Sequence, residues 1–415
     1  MLKNPNFSWL KNPELQQILA FLSPNNKKAM VVGGAVRNAY LNKDIYDIDI
    51  ATSCYPEEVI TLAQQNNFRV INTGIKYGTV TIIGKNQSYE VTTLRKDIKT
   101  DGRHAKVVFT DSWAEDAKRR DFTINALYLT ADGEIFDYVD GLQDLHNNYI
   151  RFIGDPYERI NEDYLRILRF FRFYTYYGKG RPDKLAILAC TALKNKIKFL
   201  AKERIWDEFR KILMAPQITK TMLWLRQTAI LTILVPESDK WGLEHFHSLI
   251  KYETASKEKI NFLLRLASII PPNIEKVNNI NIRLNLSNQQ KKEYLTLWQI
   301  YTQTTLTQIE VQKNELLYNK VSPALIDSLK LRKAIAIDKK VVDANYVKQI
   351  DQLIDYFTNN IAPIFPINSQ DIFNAGIKEG KNFGIIFNKL KNIWIKDNFN
   401  ISREELIKIL NSLSN

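Results

Sequence analysis

The 415-residue sequence predicts a mixed α/β domain at its N-terminal end and an all-helical remainder. Three observations carry that expectation. Between residues 28 and 139, short β-rich runs are punctuated by Gly and Asp. After Gly154-Asp155-Pro156 the period changes, and apolar residues recur at helical spacing. Further on, amphipathic stretches alternate with turn clusters at Ala215-Pro216, Pro271-Pro272 and residues 361–366.

Taken in order, the strand candidates are AMVVGG, YDIDIAT, FRVINTG, GTVTIIG, YEVTTLR and INALYLT. AVRNAYLNK, between the first two, is helix-compatible but too short for the long crossover of a dinucleotide-binding unit, so the glycines serve another phosphate geometry. DIKTDGRHAKVVF reads as a loop between strands. YERINEDYLRILRFFRFYTYY reads as one helix with arginines at every third position. LAKERIWDEFRKILM, KINFLLRLASII and QQKKEYLTLWQIY continue as helices, with subdomain breaks expected near 215 and 300. The expected segments are therefore 1–140, 141–215, 216–300 and 301–415.

Composition narrows the function. Lys and Arg number 58 against 45 Asp and Glu, a net charge of +13, so a polyanionic partner such as nucleic acid deserves early consideration. With 45% apolar and 25% charged residues, disordered and fibrous classes are excluded. Cys54 and Cys190 offer neither a disulfide framework nor a zinc cluster, which suits a reducing cytoplasm. The first residues lack the pattern of a signal peptide, and residues 221–235 are interrupted by Arg226 and Gln227, so neither export nor membrane insertion is expected. His104, His146, His245 and His247 include no adjacent His-Asp pair, and no metal-dependent phosphohydrolase is expected.

Four groups of residues carry candidate chemistry. Asp47 and Asp49 form D-x-D in a strand-like run, and a two-residue period turns both carboxylates to one face, a platform for Mg²⁺ and substrate phosphates. Alone, the pair reads first as a strand end with two solvated aspartates. Gly33-Gly34 ends a buried strand and opens a helix, leaving backbone N–H groups open to an anion, with the positive charge of Arg37 one turn on. Arg119-Arg120-Asp121 offers guanidiniums to a triphosphate or a base, or is a surface ion-pair cluster. Glu162, Asp163, Arg166, Arg169 and Arg172 fall on the long helix among apolar neighbours, where buried arginines call for anionic partners.

Together and in this order, GGAVRNAYLNKDIYDIDIAT, RRDFTINALY and EDYLRILRFFRF resemble the class II tRNA nucleotidyltransferase and bacterial poly(A) polymerase family, over roughly residues 28–215. The resemblance implies a nucleotidyltransferase head with a mixed sheet and helices, followed by an all-α neck, body and tail. It implies that Asp47 and Asp49 hold catalytic Mg²⁺, and that Gly33, Gly34 and Arg37 lie against the triphosphate while Arg120 contacts the nucleotide. Asp163 and Arg166 become the base-reading pair, with Arg169 and Arg172 in support. Glu90 is a geometric candidate for a third strand carboxylate. One departure stands out: where the family's usual motif has Asp, this chain has Asn38, which loses the charge.

A carboxylate accepts from the exocyclic amine of cytosine or adenine while a guanidinium donates to cytosine N3 or adenine N1, so one Asp and one Arg suit CTP and ATP. UTP and GTP present the reverse pattern and leave polar groups unpaired. The implied reaction is attack of an RNA 3′-hydroxyl on the α-phosphate with pyrophosphate leaving, one Mg²⁺ activating the hydroxyl and another stabilising the leaving group. The expected activity is addition of C, C and A to the tRNA acceptor end, with no obligate protein partner. Poly(A) synthesis, partial CC or A addition, and a silent RNA-binding homologue are the alternatives. The segment around Asp101 and His104 is expected to serve the switch from C to A.

Overall fold

The computed structural model describes residues 7–101, 104–239, 241–338, 344–377 and 379–414. It divides into two compact units, Met1–Leu234 and Val235–Asn415.

Among the described residues, the first unit holds nine strands: β1 Ala29–Val32, β2 Ile48–Thr52, β3 Arg69–Gly74, β4 Thr79–Ile83, β5 Ser88–Thr93, β6 Arg95–Asp101, β7 His104–Phe109, β8 Leu127–Leu129 and β9 Ile135–Asp137. Seven form a mixed sheet in the order β3-β4-β5-β2-β1-β8-β9. β2 runs parallel to β5 and antiparallel to β1, which pairs antiparallel with β8. All residues of β1 and β8 are buried, as continuous apolar runs at the centre of a covered sheet should be. In β2 the burial relaxes only at Asp49, which the register places opposite Val32 on one side and Glu90 on the other.

All six sequence-derived strand runs are strands. The DIKTDGRHAKVVF segment corrects the expectation of a loop: β6 and β7 pair with each other as a separate two-stranded antiparallel ribbon. A ribbon outside the main sheet needs no apolar alternation, so its residues carry no strand signal. Gly102 and Arg103, within that expectation, lie outside the described residues.

The helices of this unit are α1 Pro13–Phe21, α2 Gly34–Tyr40, α3 Pro56–Gln65, α4 Trp113–Arg119, α5 Gly141–His146, α6 Pro156–Glu162, α7 Arg166–Tyr177, α8 Lys184–Leu193, α9 Lys202–Leu213, α10 Thr219–Gln227 and α11 Ile230–Leu234. Proline opens α1, α3 and α6, where its missing N–H costs nothing. Asn12, Ser112, Asp155 and Asp183 cap α1, α4, α6 and α8. The single helix expected over YERINEDYLRILRFFRFYTYY is two, broken at Asp163, which has extended geometry (φ −152°, ψ 108°). The Asp163 side chain accepts from the Leu165 N–H at 3.1 Å and its carbonyl from the Arg166 N–H at 3.0 Å. Such local bonding is the way an aspartate outcompetes helix continuation.

An aromatic cluster ties α7 to the segment before β8. Phe122 is fully buried, with ring centroids 4.8 Å from Phe152, 6.3 Å from Phe170 and 5.1 Å from Phe173. Burial of each ring contributes roughly 1.5–3 kcal/mol, so α7 is anchored along its apolar face.

The second unit is helical. One of its cores gathers Leu325 and Leu329 with Ile350, Leu353 and Phe357; another gathers Leu390, Trp394, Leu406 and Leu410. A buried ion pair, Arg265 to Glu253 at 2.7 Å, sits within it. Among the described residues, no helix is long and apolar enough to cross a membrane.

Candidate active site

One cleft of about 460 Å³ in the first unit gathers Gly33, Gly34, Arg37, Asp49, Arg120, Asp163, Arg166 and Arg169 from distant parts of the sequence. Arg119, Asp121, Asn125, Leu165, Phe173 and Arg204 complete its lining. Asp47 and Arg172 are not on that wall. A hollow of similar size, about 480 Å³, lies in the second unit around Asn261, Glu293 and Asp327. It lacks the arginine array that polyphosphate recognition needs, so the first cleft is the candidate site.

At one wall, β1 is followed by Gly33, whose positive φ of 75° favours glycine and lets the chain turn directly into α2. A side chain on Gly33 would meet Arg120 Nη1 at 4.0 Å, and one on Gly34 would meet Arg37 Nη2 at 3.7 Å. The glycine turn therefore lies between two guanidiniums, and the missing side chains leave room for an anion.

Asp49 lies on β2 beside Glu90, and Asp47 immediately precedes that strand. Burial, reinforced by Glu90 and Asp47 and opposed by Arg120, pushes the Asp49 carboxyl up to about 6. A half-buried carboxylate crowded by two others is a group that a divalent cation would relieve, so these residues fit a hard metal ion. Among the described residues no three His, Cys, Asp or Glu side chains gather as a ready cage. A pair of aspartates matches an ion that takes the rest of its shell from phosphates and water.

Asp116, on α4 and nearly fully buried, holds the adjacent arginines. It accepts from Arg119 Nε at 2.7 Å, from Arg120 Nη2 at 2.9 Å and from the Tyr128 hydroxyl at 2.7 Å. Burial alone would raise its carboxyl, but Arg120 and Arg119 win and hold it at about 2. The pair is thus an anchored array, not a surface cluster. Asp121 turns the other way: it accepts from Arg169 Nε at 2.7 Å and from Asn125 Nδ2 at 3.1 Å. Burial opposes its ionisation, yet Arg169 and Asn125 hold it at about 2.

The break between α6 and α7 places Asp163 and Arg166 on the cleft. Asp163 Oδ2 accepts from Arg204 Nη2 of α9 at 2.8 Å. Arg166 Nη1 is engaged by Glu162 and by the Arg159 carbonyl at 2.9 Å. Its Nη2 and Nε make no hydrogen bond among the described residues and remain as donors. Arg159 reaches back to the Arg119 and Arg120 carbonyls, tying α6 to the end of α4.

Arg172, expected to support base or phosphates, pairs with buried Glu208 at 2.6 Å, lies over Phe173 and is not among the residues that line the cleft. Burial of the α7 arginines is thus balanced by the protein's own carboxylates, Glu162, Asp121 and Glu208. Asn125, Phe173 and Arg204 were not marked as site residues by the sequence. Arg204 sits in the ERIWDEF element, but only the fold brings it to Asp163.

Comparison with known proteins agrees with this geometry. Residues 29–151 match the model of the poly A polymerase head domain, and residues 183–241 that of the probable RNA and SrmB-binding site of polymerase A. The mitochondrial CCA tRNA nucleotidyltransferase 1 of Homo sapiens is 31% identical, covering 99% of this chain and 92% of its own length. The CCA-adding enzyme of Streptococcus gordonii is 46% identical over 193 residues, 46% of this chain and 47% of that protein. The fold matches the Bacillus stearothermophilus CCA-adding enzyme in complex with CTP (TM-score 0.69, 24% identity, 96% of each chain). It also matches the Thermotoga maritima CCA-adding enzyme complexed with tRNA (TM-score 0.68, 19% identity, 97% of this chain and 95% of that one). With a full-length relative at this identity and the head, arginine array and helical remainder all in place, the chain belongs to the CCA tRNA nucleotidyltransferase family.

Proposed function

We propose that this protein adds C, C and A to tRNA 3′ ends from CTP and ATP without a nucleic-acid template. The observation that carries the reading is one cleft holding the glycine turn, the Asp49 carboxylate, the arginine array and the Asp163–Arg166 pair together. In this reading residues 1–140 are the catalytic head and 141–215 the neck that reads the base. Residues 216–300 and 301–415 form a body and tail that hold tRNA. Cytoplasmic placement accords with Cys54 and Cys190, both buried free thiols.

Asp47 and Asp49 would hold Mg²⁺, which when bound supplies Lewis-acid activation of the reacting oxygens and neutralises phosphate charge. Gly33 and Gly34 admit the triphosphate beside Arg37 and Arg120. Arg120 is kept charged and oriented by Asp116 and Tyr128, so its position is set before the nucleotide arrives. Asp163 keeps acceptor capacity beyond its bond from Arg204, enough for the exocyclic amine of cytosine or adenine. The remaining donors of Arg166 meet N3 or N1 of the same bases. A uracil or guanine would set acceptor against acceptor and donor against donor, leaving buried groups unpaired. Arg169 and Asp121 stiffen that wall.

The deciding experiment incubates the protein and Mg²⁺ with tRNAs ending before CCA, after C and after CC, with labelled CTP and ATP separately and together. Ordered addition of C, C and A followed by arrest is expected. ATP-only addition running past one residue would move the protein to the poly(A) reading that its head domain also permits. Arrest after CC would make it a partial enzyme.

A further inference from the structure

Arg37 differs from the other arginines of the cleft. Arg119 and Arg120 pair with Asp116, Arg166 with Glu162, Arg169 with Asp121 and Arg204 with Asp163. Arg37 is only 7% exposed, yet among the described residues its guanidinium donates to neutral acceptors alone. These are Asn125 Oδ1, Asn38 Oδ1 at 3.1 Å from Nη2, and the Tyr177 hydroxyl at 2.9 Å. The guanidinium lies 4.3 Å from the Tyr177 ring centroid and 5.2 Å from that of Phe173. A buried cation without a directly bonded anion is costly; the Asp121 carboxylate acts on Arg37 only through space, across Asn125, while neutral oxygens and π faces hold the guanidinium in place.

Tyr177, at the last turn of α7, organises more than this one cation. Its hydroxyl accepts from Arg37 and donates to Asn38 Oδ1 at 3.0 Å, while Asn38 Nδ2 donates to the Asp44 carbonyl at 2.8 Å. Asp44 lies in the turn that leads to Asp47. Lys43 approaches the same ring at 4.5 Å and donates from Nζ to the Tyr176 carbonyl at 2.9 Å. One side chain of the arginine helix thus fixes both the cation beside Gly34 and the segment delivering the first aspartate. An aspartate in place of Asn38 could not donate to Asp44 and would put a negative charge against Arg37.

We propose that Tyr177 is a positioning residue for the incoming triphosphate, a neutral clasp that keeps the Arg37 charge out of any direct ion pair and aimed at phosphate whichever base is carried. The inference rests on nucleotidyl transfer at this cleft. It distinguishes Tyr177 from Asp163 and Arg166, whose effects depend on the base.

The test compares wild type with Tyr177→Phe, which keeps the ring and loses the hydroxyl, and with Lys43→Met. Binding of inorganic tripolyphosphate in the presence of Mg²⁺ is measured by calorimetry, alongside KM and kcat for CTP and ATP. In Tyr177→Phe the dissociation constant for tripolyphosphate and both KM values are expected to rise together about fivefold, with kcat within about twofold. Lys43→Met should give a smaller rise in the same direction. Unchanged tripolyphosphate binding in Tyr177→Phe, a KM rise confined to one nucleotide, or a loss wholly in kcat overturns the clasp. So does a wild-type protein that does not bind tripolyphosphate. If tripolyphosphate binds wild type and weakens in Tyr177→Phe while no tRNA is extended, the clasp stands and the nucleotidyl-transfer reading fails.

Discussion

The carboxylates of the cleft divide into two kinds, and the division is electrostatic. Asp49 is crowded by Glu90 and Asp47 and pushed up to about 6, whereas Asp116 and Asp121 face arginines and are held at about 2. The first kind invites a cation from solution; the second has its cations already. Asp49→Asn should therefore lower transfer by about a thousandfold, on the order of 4 kcal/mol of transition-state stabilisation, without lowering the thermal midpoint. An active Asp49→Asn enzyme would remove Asp49 from the chemistry. Asp116 and Asp121 should govern acid stability instead. Their folded values lie below the ordinary carboxylate value near 3.9, so their contribution is present above about pH 4 and is lost as pH falls toward 2. Each is worth on the order of 2 kcal/mol by that shift. Asp116→Asn leaves two half-buried guanidiniums without their carboxylate, and at neutral pH it should lose about 3 kcal/mol in denaturant unfolding. Its stability should then fall less steeply than wild type between pH 4 and 2, and an unchanged slope would refute that assignment.

At the scale of elements, the cleft depends on a helix that stops. The apolar period of YERINEDYLRILRFFRFYTYY continues across Asp163, and periodicity alone reads one helix there. The break arises because an aspartate can bond its own following backbone, a preference invisible to a hydrophobic pattern. The strands were legible for the opposite reason: β1, β2, β4, β5 and β8 bury apolar residues that the sequence displays. Among the residues that line the cleft, Asp49, the glycine turn and the Asp163–Arg166 pair could be read because each motif is local. The couplings Arg204 to Asp163 and Asn125 to Arg37 span 41 and 88 positions, and only the fold supplies them. Asp116 was within reach, three and four residues ahead of Arg119 and Arg120, the spacing of helical ion pairs. The break also makes Asp163 separable from Arg172. Asp163→Ala should lower discrimination against UTP at least about tenfold in misincorporation assays, since an unpaired polar group no longer penalises the wrong base. Arg172→Met should leave that ratio unchanged and lower stability by leaving buried Glu208 only its longer contact with Arg169 at 3.9 Å. Equal UTP discrimination in wild type and Asp163→Ala would mean that the base is read elsewhere.

For the whole molecule the determining quantity is charge. A net +13 is far more than the cleft needs, because most of its arginines are balanced by Asp116, Asp121, Asp163 and Glu162. The excess therefore lies outside the nucleotide site and is available to a larger polyanion. A nucleic-acid backbone neutralised by several lysines and arginines releases its condensed counterions, so affinity falls steeply with salt. A nucleotide held in one cleft releases few. KM for tRNA should rise at least about tenfold between 50 and 200 mM KCl, while KM for CTP at saturating tRNA changes less than about threefold. Single lysine substitutions on a surface that carries tRNA should each flatten the tRNA slope by about one unit, uniformly for every tRNA sequence. If KM for tRNA is flat with salt, the excess charge does not bind the acceptor, and recognition must come from shape and hydrogen bonding in the helical half. A steep dependence for CTP as well would place unbalanced cations other than Arg37 beside the triphosphate, contrary to the pairing found in the cleft.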